Sequence, residues 1–86
     1  MSRKAILDDI NKERNRQTNL WSKEFDKGHT INDWTTFIIR YLAKASSDNH
    51  NTNVKDNLVK AGALVVATIE VLEKSGFTKR NYEKEL

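Results

Sequence analysis

Between Ala61 and Ala67 the chain reads Ala-Gly-Ala-Leu-Val-Val-Ala, seven residues with no polar side chain in any direction. Over two turns of helix such a run is apolar all round, which the surface helix of a small bundle does not tolerate. The segment is therefore expected to be covered on two sides. Gly62 sharpens this expectation. It costs about 1 kcal/mol of helix propensity relative to alanine, an expense best explained by the close approach of another backbone. A neighbouring subunit is the natural source of that backbone.

Chain length points the same way. A domain of 86 residues buries only about 60–65% of its unfolded surface, so its core alone is marginal. Hydrophobic residues make up 37% of the chain and cysteine is absent, which removes disulfides and thiolate-bound metal as staples. Subunit packing is the remaining common remedy, and a homo-oligomer is expected. The N-terminal Met1-Ser2-Arg3-Lys4 leads into mixed polar and apolar sequence. Neither a signal peptide nor a membrane span is read there, and the expected location is the cytoplasm. Fifteen basic residues against twelve acidic give a net charge of +3. That excess suits an anionic ligand and falls short of a sequence-specific nucleic-acid binder. Proline is absent while asparagine and lysine abound, a usage that suits AT-rich coding genomes such as those of many bacteriophages.

The hydrophobic pattern predicts an all-α chain of three helices. Ile6, Ile10, Gln17 and Trp21 fall near one helical face, with Leu7 beside it, giving an amphipathic first helix over about 3–18. The pattern lapses from Thr18 to His29, where Asp26-Lys27-Gly28 is a turn signal and Trp21 and Phe25 are expected to pin the loop. Thr30 and Asp33 form a capping-box pair that opens a second helix. Its stripe of Ile31, Trp34, Phe37, Ile38, Tyr41, Leu42 and Ala45 follows helical spacing throughout. Ser46 to Asn53 is wholly polar and reads as a connector. Thr52 or Asn53 then caps a third helix that ends at Gly76, with Lys74 complementing the dipole in its last turn. Residues 1–76 form the expected domain, and 77–86 a charged tail anchored only by Phe77, Tyr82 and Leu86.

Familiar catalytic signatures are missing: there is no cysteine nucleophile, Gly-x-Ser-x-Gly elbow, Gly-rich phosphate loop or His-Glu-x-x-His pair. His29 and His50 fall in loops, where solvated or capping roles are usual; His29, beside the cap, is the candidate ligand group. Asp8, Asp9 and Glu13 have spacing that could hold Mg²⁺ but read more simply as a solvated acidic edge. Glu70, at the end of the apolar run, calls for an arginine or lysine partner. The cationic and aromatic set is richer, comprising Arg14, Arg16, Trp21, Trp34, Arg40, Tyr41, Lys44 and Lys60. Guanidinium forks hold phosphate, and aromatic faces stack on bases at about 1–3 kcal/mol each. Trp34 and Tyr41 also lie in register with the core stripe, and Trp34 is assigned to the core.

A group of spaced residues carries a family resemblance: Glu13-Arg14-x-Arg16-Gln17, Trp21, Asp26, His29-Thr30, Asp33-Trp34, Tyr41-Leu42-x-Lys44-Ala45, and Leu58-Val59-Lys60-Ala61-x-Ala63-Leu64 with Glu70. Over residues 5 to 76 the chain resembles a group of short phage and bacterial proteins. That group is distantly similar to the MazG-like all-α nucleoside triphosphate pyrophosphohydrolases. The resemblance implies an oligomeric helical bundle with nucleotide-receiving clefts, and Mg²⁺ in the enzymes. Those enzymes carry Glu-Glu-x-x-Glu on one helix and Glu-x-x-Asp on the next. This chain has Ile38-Ile39-Arg40-Tyr41-Leu42 on its second helix, and Asp56 and Glu70 stand fourteen residues apart, so metal-assisted hydrolysis is doubtful.

The reading that follows is a non-catalytic nucleotide-binding protein without a cofactor. Its ligand would be a nucleotide or cyclic nucleotide signal, held by Arg14, Arg16, Gln17, Trp21, His29, Arg40, Tyr41, Lys44 and Lys60. If phage-encoded, it would act in the host cytoplasm as a counter-defence sponge for a nucleotide immune signal. Two alternatives stand beside it: a protein-binding inhibitor or modulator of a host protein, and a weak Mg²⁺-dependent pyrophosphohydrolase.

Overall fold

The computed structural model describes residues 2–20 and 29–75. They form three helices and little else: α1 (Arg3–Leu20), α2 (Ile31–Ser47) and α3 (Asn51–Ser75). The all-α expectation holds. The predicted turn at Asp26-Lys27-Gly28, its anchors Trp21 and Phe25, the Gly76 terminus and the 77–86 tail lie outside the described residues. Among the described residues, no helix is long and apolar enough to cross a membrane.

The start of α2 is set as its sequence predicts. The Thr30 hydroxyl accepts from the Asp33 amide at 3.2 Å, and the Asp33 carboxylate accepts from the Thr30 amide at 2.9 Å. Two otherwise orphaned amides are thereby satisfied. The connector is shorter than its composition suggests: Ser46 and Ser47 extend α2, and Asn51 to Asn53 already belong to α3. Asp48 explains the compression. Its carboxylate accepts from the His50 amide at 2.8 Å and from the Asn53 side chain at 3.5 Å. The His50 carbonyl then accepts from the Val54 amide at 3.0 Å, beginning the α3 ladder. Three residues suffice to reverse the chain, so α2 and α3 form an antiparallel helical hairpin.

α3 is the shared wall of the bundle, packing against α2 most extensively and against α1 along its other flank. Its buried face is built of small residues, Ala61, Ala63 and Ala67, around one large one, Leu64. Trp34 and Leu64 are the two largest side chains withdrawn fully from solvent. With Ala67 they make the core, flanked by Phe37, Ile38, Tyr41 and Val71. The assignment of Trp34 to the core is correct.

One expectation for the apolar run needs revision. Gly62 is approached by a side chain of its own chain: a Cβ there would lie 3.1 Å from Ile10 Cδ1 and 3.3 Å from Ile10 Cγ1. The glycine lets α1 settle close to α3. The run is covered on two sides within the chain, by α2 and by α1, and a third side is left open. Ala61, Ala63, Leu64 and Ala67 are buried, while Val65 and Val66 stand exposed. A single α2 and a single α1 cannot encircle a 25-residue helix, so one strip of it is left uncovered.

Truncating Leu64 to alanine should cost about 2–5 kcal/mol in urea unfolding, the range for a fully buried leucine. Enlarging Gly62 to leucine should destabilise by displacing Ile10. Pairing it with Ile10→Ala should then cost less than the two single changes added together. Simple additivity would show that Ile10 and Gly62 do not share a contact.

Candidate functional site: a cationic face around Tyr41

Two arginines two residues apart on α1, on opposite sides of the helix, take opposite roles. Arg14 turns inward. Its Nε donates to Glu70 Oε1 at 2.7 Å, with the guanidinium side chain 10% exposed and the carboxylate 43% exposed. This is the partner Glu70 requires at the end of an apolar stretch. It also ties α1 to α3.

Arg16 turns outward and forms a two-pronged contact with Glu13: Nε to Oε1 at 2.9 Å and Nη2 to Oε2 at 2.6 Å. The fork-on-fork geometry fixes the guanidinium plane. Gln17 is buried and donates to the same Glu13 oxygen at 3.3 Å, while its own amide oxygen has no hydrogen-bond partner among the described residues. The Arg16 hydrogen bonds hold Glu13 below the usual carboxylate value against the opposing effect of burial, and the positive field of Lys60 contributes in the same direction. Reciprocally, Glu13 raises Arg16 above its ordinary value, and the Tyr41 phenol lies near enough to add to that.

Lys60 and Tyr41 bring α3 and α2 to the same place. The Lys44 ammonium sits 5.0 Å from the centroid of the Tyr41 ring, and the Lys60 ammonium 5.9 Å from it. Both are within reach of the negative face of an aromatic ring. Among the described residues neither lysine has a carboxylate within ion-pair distance. Arg40 is exposed one turn from Lys44 on α2 and likewise forms no ion pair there. Three helices therefore contribute Arg16, Tyr41, Lys44 and Lys60 to one half-buried aromatic and its cations, with Glu13 the acid in their midst.

The other candidates lie elsewhere. His29 packs edge-on against Phe37 at 5.3 Å and Trp34 at 6.0 Å between ring centroids, so it belongs to the aromatic end of the core. Trp21 lies outside the described residues. Asp9 is paired with Lys55 at 3.2 Å, and Asp8 is exposed. Among the described residues, no three His, Asp or Glu side chains gather closely enough to share a metal ion. Glu13, read from the sequence as part of an acidic edge, instead orients Arg16. Its i, i+3 spacing from Arg16 was the available signal.

A separate groove of about 370 Å³ lies between α1 and α3, lined by Ile6, Ile10, Leu58, Val59 and Lys55. It is apolar, and none of the nine candidate ligand residues is among those lining it. The fold and this face together define a small three-helix bundle with a cationic, aromatic-centred surface. No known family model, curated protein or solved structure matches the chain significantly.

Two consequences can be measured. Glu13 has a lowered folded value, so its contact stabilises fully above the unfolded value of 4.5 and is lost as pH falls through the folded one. The melting-temperature gap between wild type and Glu13→Gln should thus be present at neutral pH and close in acid; a gap that persists near pH ~2 would mean the contact is not ionic. Arg14→Ala should lower stability by about 1–2 kcal/mol. That estimate is below the cost of breaking a fully buried pair because Glu70 keeps contact with water.

Proposed function

We propose that the protein binds a nucleotide-class anion without cleaving it, on the face formed by Arg16, Tyr41, Lys44 and Lys60. The observation that carries this reading is the meeting over one tyrosine ring of two lysines that have no carboxylate partner among the described residues. Phosphate oxygens would take the ammonium groups and the outward Arg16 fork, and a base would stack against the phenol. The prior engagement of Arg16 by Glu13 favours a ligand with enough negative charge to compete for the guanidinium. Arg40 extends the cationic surface along α2.

Retention rather than hydrolysis is favoured by how the carboxylates are engaged. Glu13 is held by Arg16, Glu70 by Arg14 and Asp9 by Lys55. Metal-assisted attack on a phosphate needs several carboxylates free to share the ions. The likeness to MazG-like proteins, carried by the spaced motif residues, supports a nucleotide as the ligand class. A protein that binds and does not turn over acts by stoichiometry, which fits a sponge for a nucleotide signal in a phage-infected cell.

Calorimetric titration of ATP, ADP-ribose and a cyclic dinucleotide in the presence of EDTA tests the proposal. At least one should bind at fixed stoichiometry and be recovered intact. Lys44→Ala and Lys60→Ala should each weaken it by about tenfold or more, and Tyr41→Leu by about 1–3 kcal/mol. Failure of the whole panel to bind, or release of pyrophosphate when Mg²⁺ is added, would sink the reading.

A further inference from the structure

The strip of α3 left uncovered has a definite pattern. Leu58, Val65, Ile69 and Leu72 are 49%, 43%, 50% and 55% exposed. They are spaced seven, four and three residues apart. At 100° per residue they fall within an arc of about 60°, a single apolar ridge running four turns. This is the spacing with which one helix packs along another. Lys60 lies roughly 150° round the same helix, so the ridge faces away from the Tyr41 surface and is independent of the ligand reading.

We infer that this ridge is the contact with a second copy of the chain, formed by two α3 helices packed antiparallel about a twofold axis near Val65. The register follows from the pattern: Val65 is the midpoint between Leu58 and Leu72, so a twofold there sets each Leu58 against the other copy's Leu72. The apolar groove beside Leu58, with Ile6, Ile10 and Val59 on its walls, then receives that leucine. Charge selects the antiparallel sense. Nearest the ridge, Lys55, which also pairs with Asp9 of its own chain, stands before the midpoint and Glu73 after it. Antiparallel packing sets these unlike charges together and opposes the helix dipoles, whereas parallel packing does the reverse on both counts. Lys55 and Glu73 lie on the same flank of the ridge, where an antiparallel pair brings such positions together. Two copies thus cover on each other the strip that neither covers alone.

Light scattering across micromolar concentrations should find an assembly with an even number of subunits. Ile69→Glu replaces a half-exposed side chain, so it should retain helical circular dichroism while weakening self-association by more than about tenfold. The chain has no cysteine of its own, so single substitutions report register cleanly. Val65→Cys should oxidise to a disulfide-linked dimer. Leu58→Cys and Leu72→Cys should cross-link when mixed and poorly when alone. A monomer or an odd-numbered assembly at high micromolar concentration would overturn the inference, as would an Ile69→Glu protein that still assembles. Self-linking of Leu58→Cys as efficient as that of Val65→Cys would overturn it too.

Discussion

The contact on which the rest of the molecule depends is that of the Trp34 indole with Leu64 and Ala67 across the α2–α3 hairpin. A tryptophan is removed from water there because α3 presents alanines on either side of one leucine, leaving room for a ring between the helices. The contact also sets the register of the site. In an antiparallel pair, movement forward along one helix is movement backward along the other. Tyr41 lies seven residues beyond Trp34, and Lys60 lies seven before Ala67. The core and the Tyr41–Lys60 approach are two rungs of the same ladder. A slip of α2 by one turn would break both at once.

Much of this was legible from the chain. The Thr30–Asp33 box, the Trp34 stripe, and the demand of Glu70 for a basic partner are all local or compositional signals, and the structure meets each of them. The failures share a physical cause, which is that one-dimensional patterns do not say which neighbour satisfies a need. Gly62 signalled a close approach without saying that Ile10, fifty-two residues earlier, would make it. Arg14 and Arg16 look equivalent in sequence. Helical phase places one toward Glu70 and the other toward solvent, and only three-dimensional packing tells which is which. The polar Ser46–Asn53 stretch read as loop because its residues favour caps and turns, yet a single Asp48 carboxylate was enough to let helix close in from both sides.

Glu13 shows how a surface can be both cationic and ordered. Long basic side chains are entropically expensive to hold in one place. Here the carboxylate grips Arg16 with both oxygens and is itself braced by the buried Gln17, so one guanidinium is positioned before any ligand arrives. The two lysines are positioned differently, by lying over a ring that cannot neutralise them. The face combines a preorganised fork with two mobile point charges.

The topology also divides the molecule into a hairpin and a first helix laid against it. α2 and α3 are joined by three residues. The Arg14–Glu70 link that secures α1 closes a loop of fifty-six residues. Closing a longer loop costs more chain entropy, though the cost grows slowly with length. α1 packs on a hairpin that holds the larger share of the core. Because Arg16 and Glu13 ride on α1, the three-helix face exists only while that helix is seated. Any molecule that bridges Arg16 to Lys44 and Lys60 would act as a clasp on α1, stabilising the seated helix by mass action.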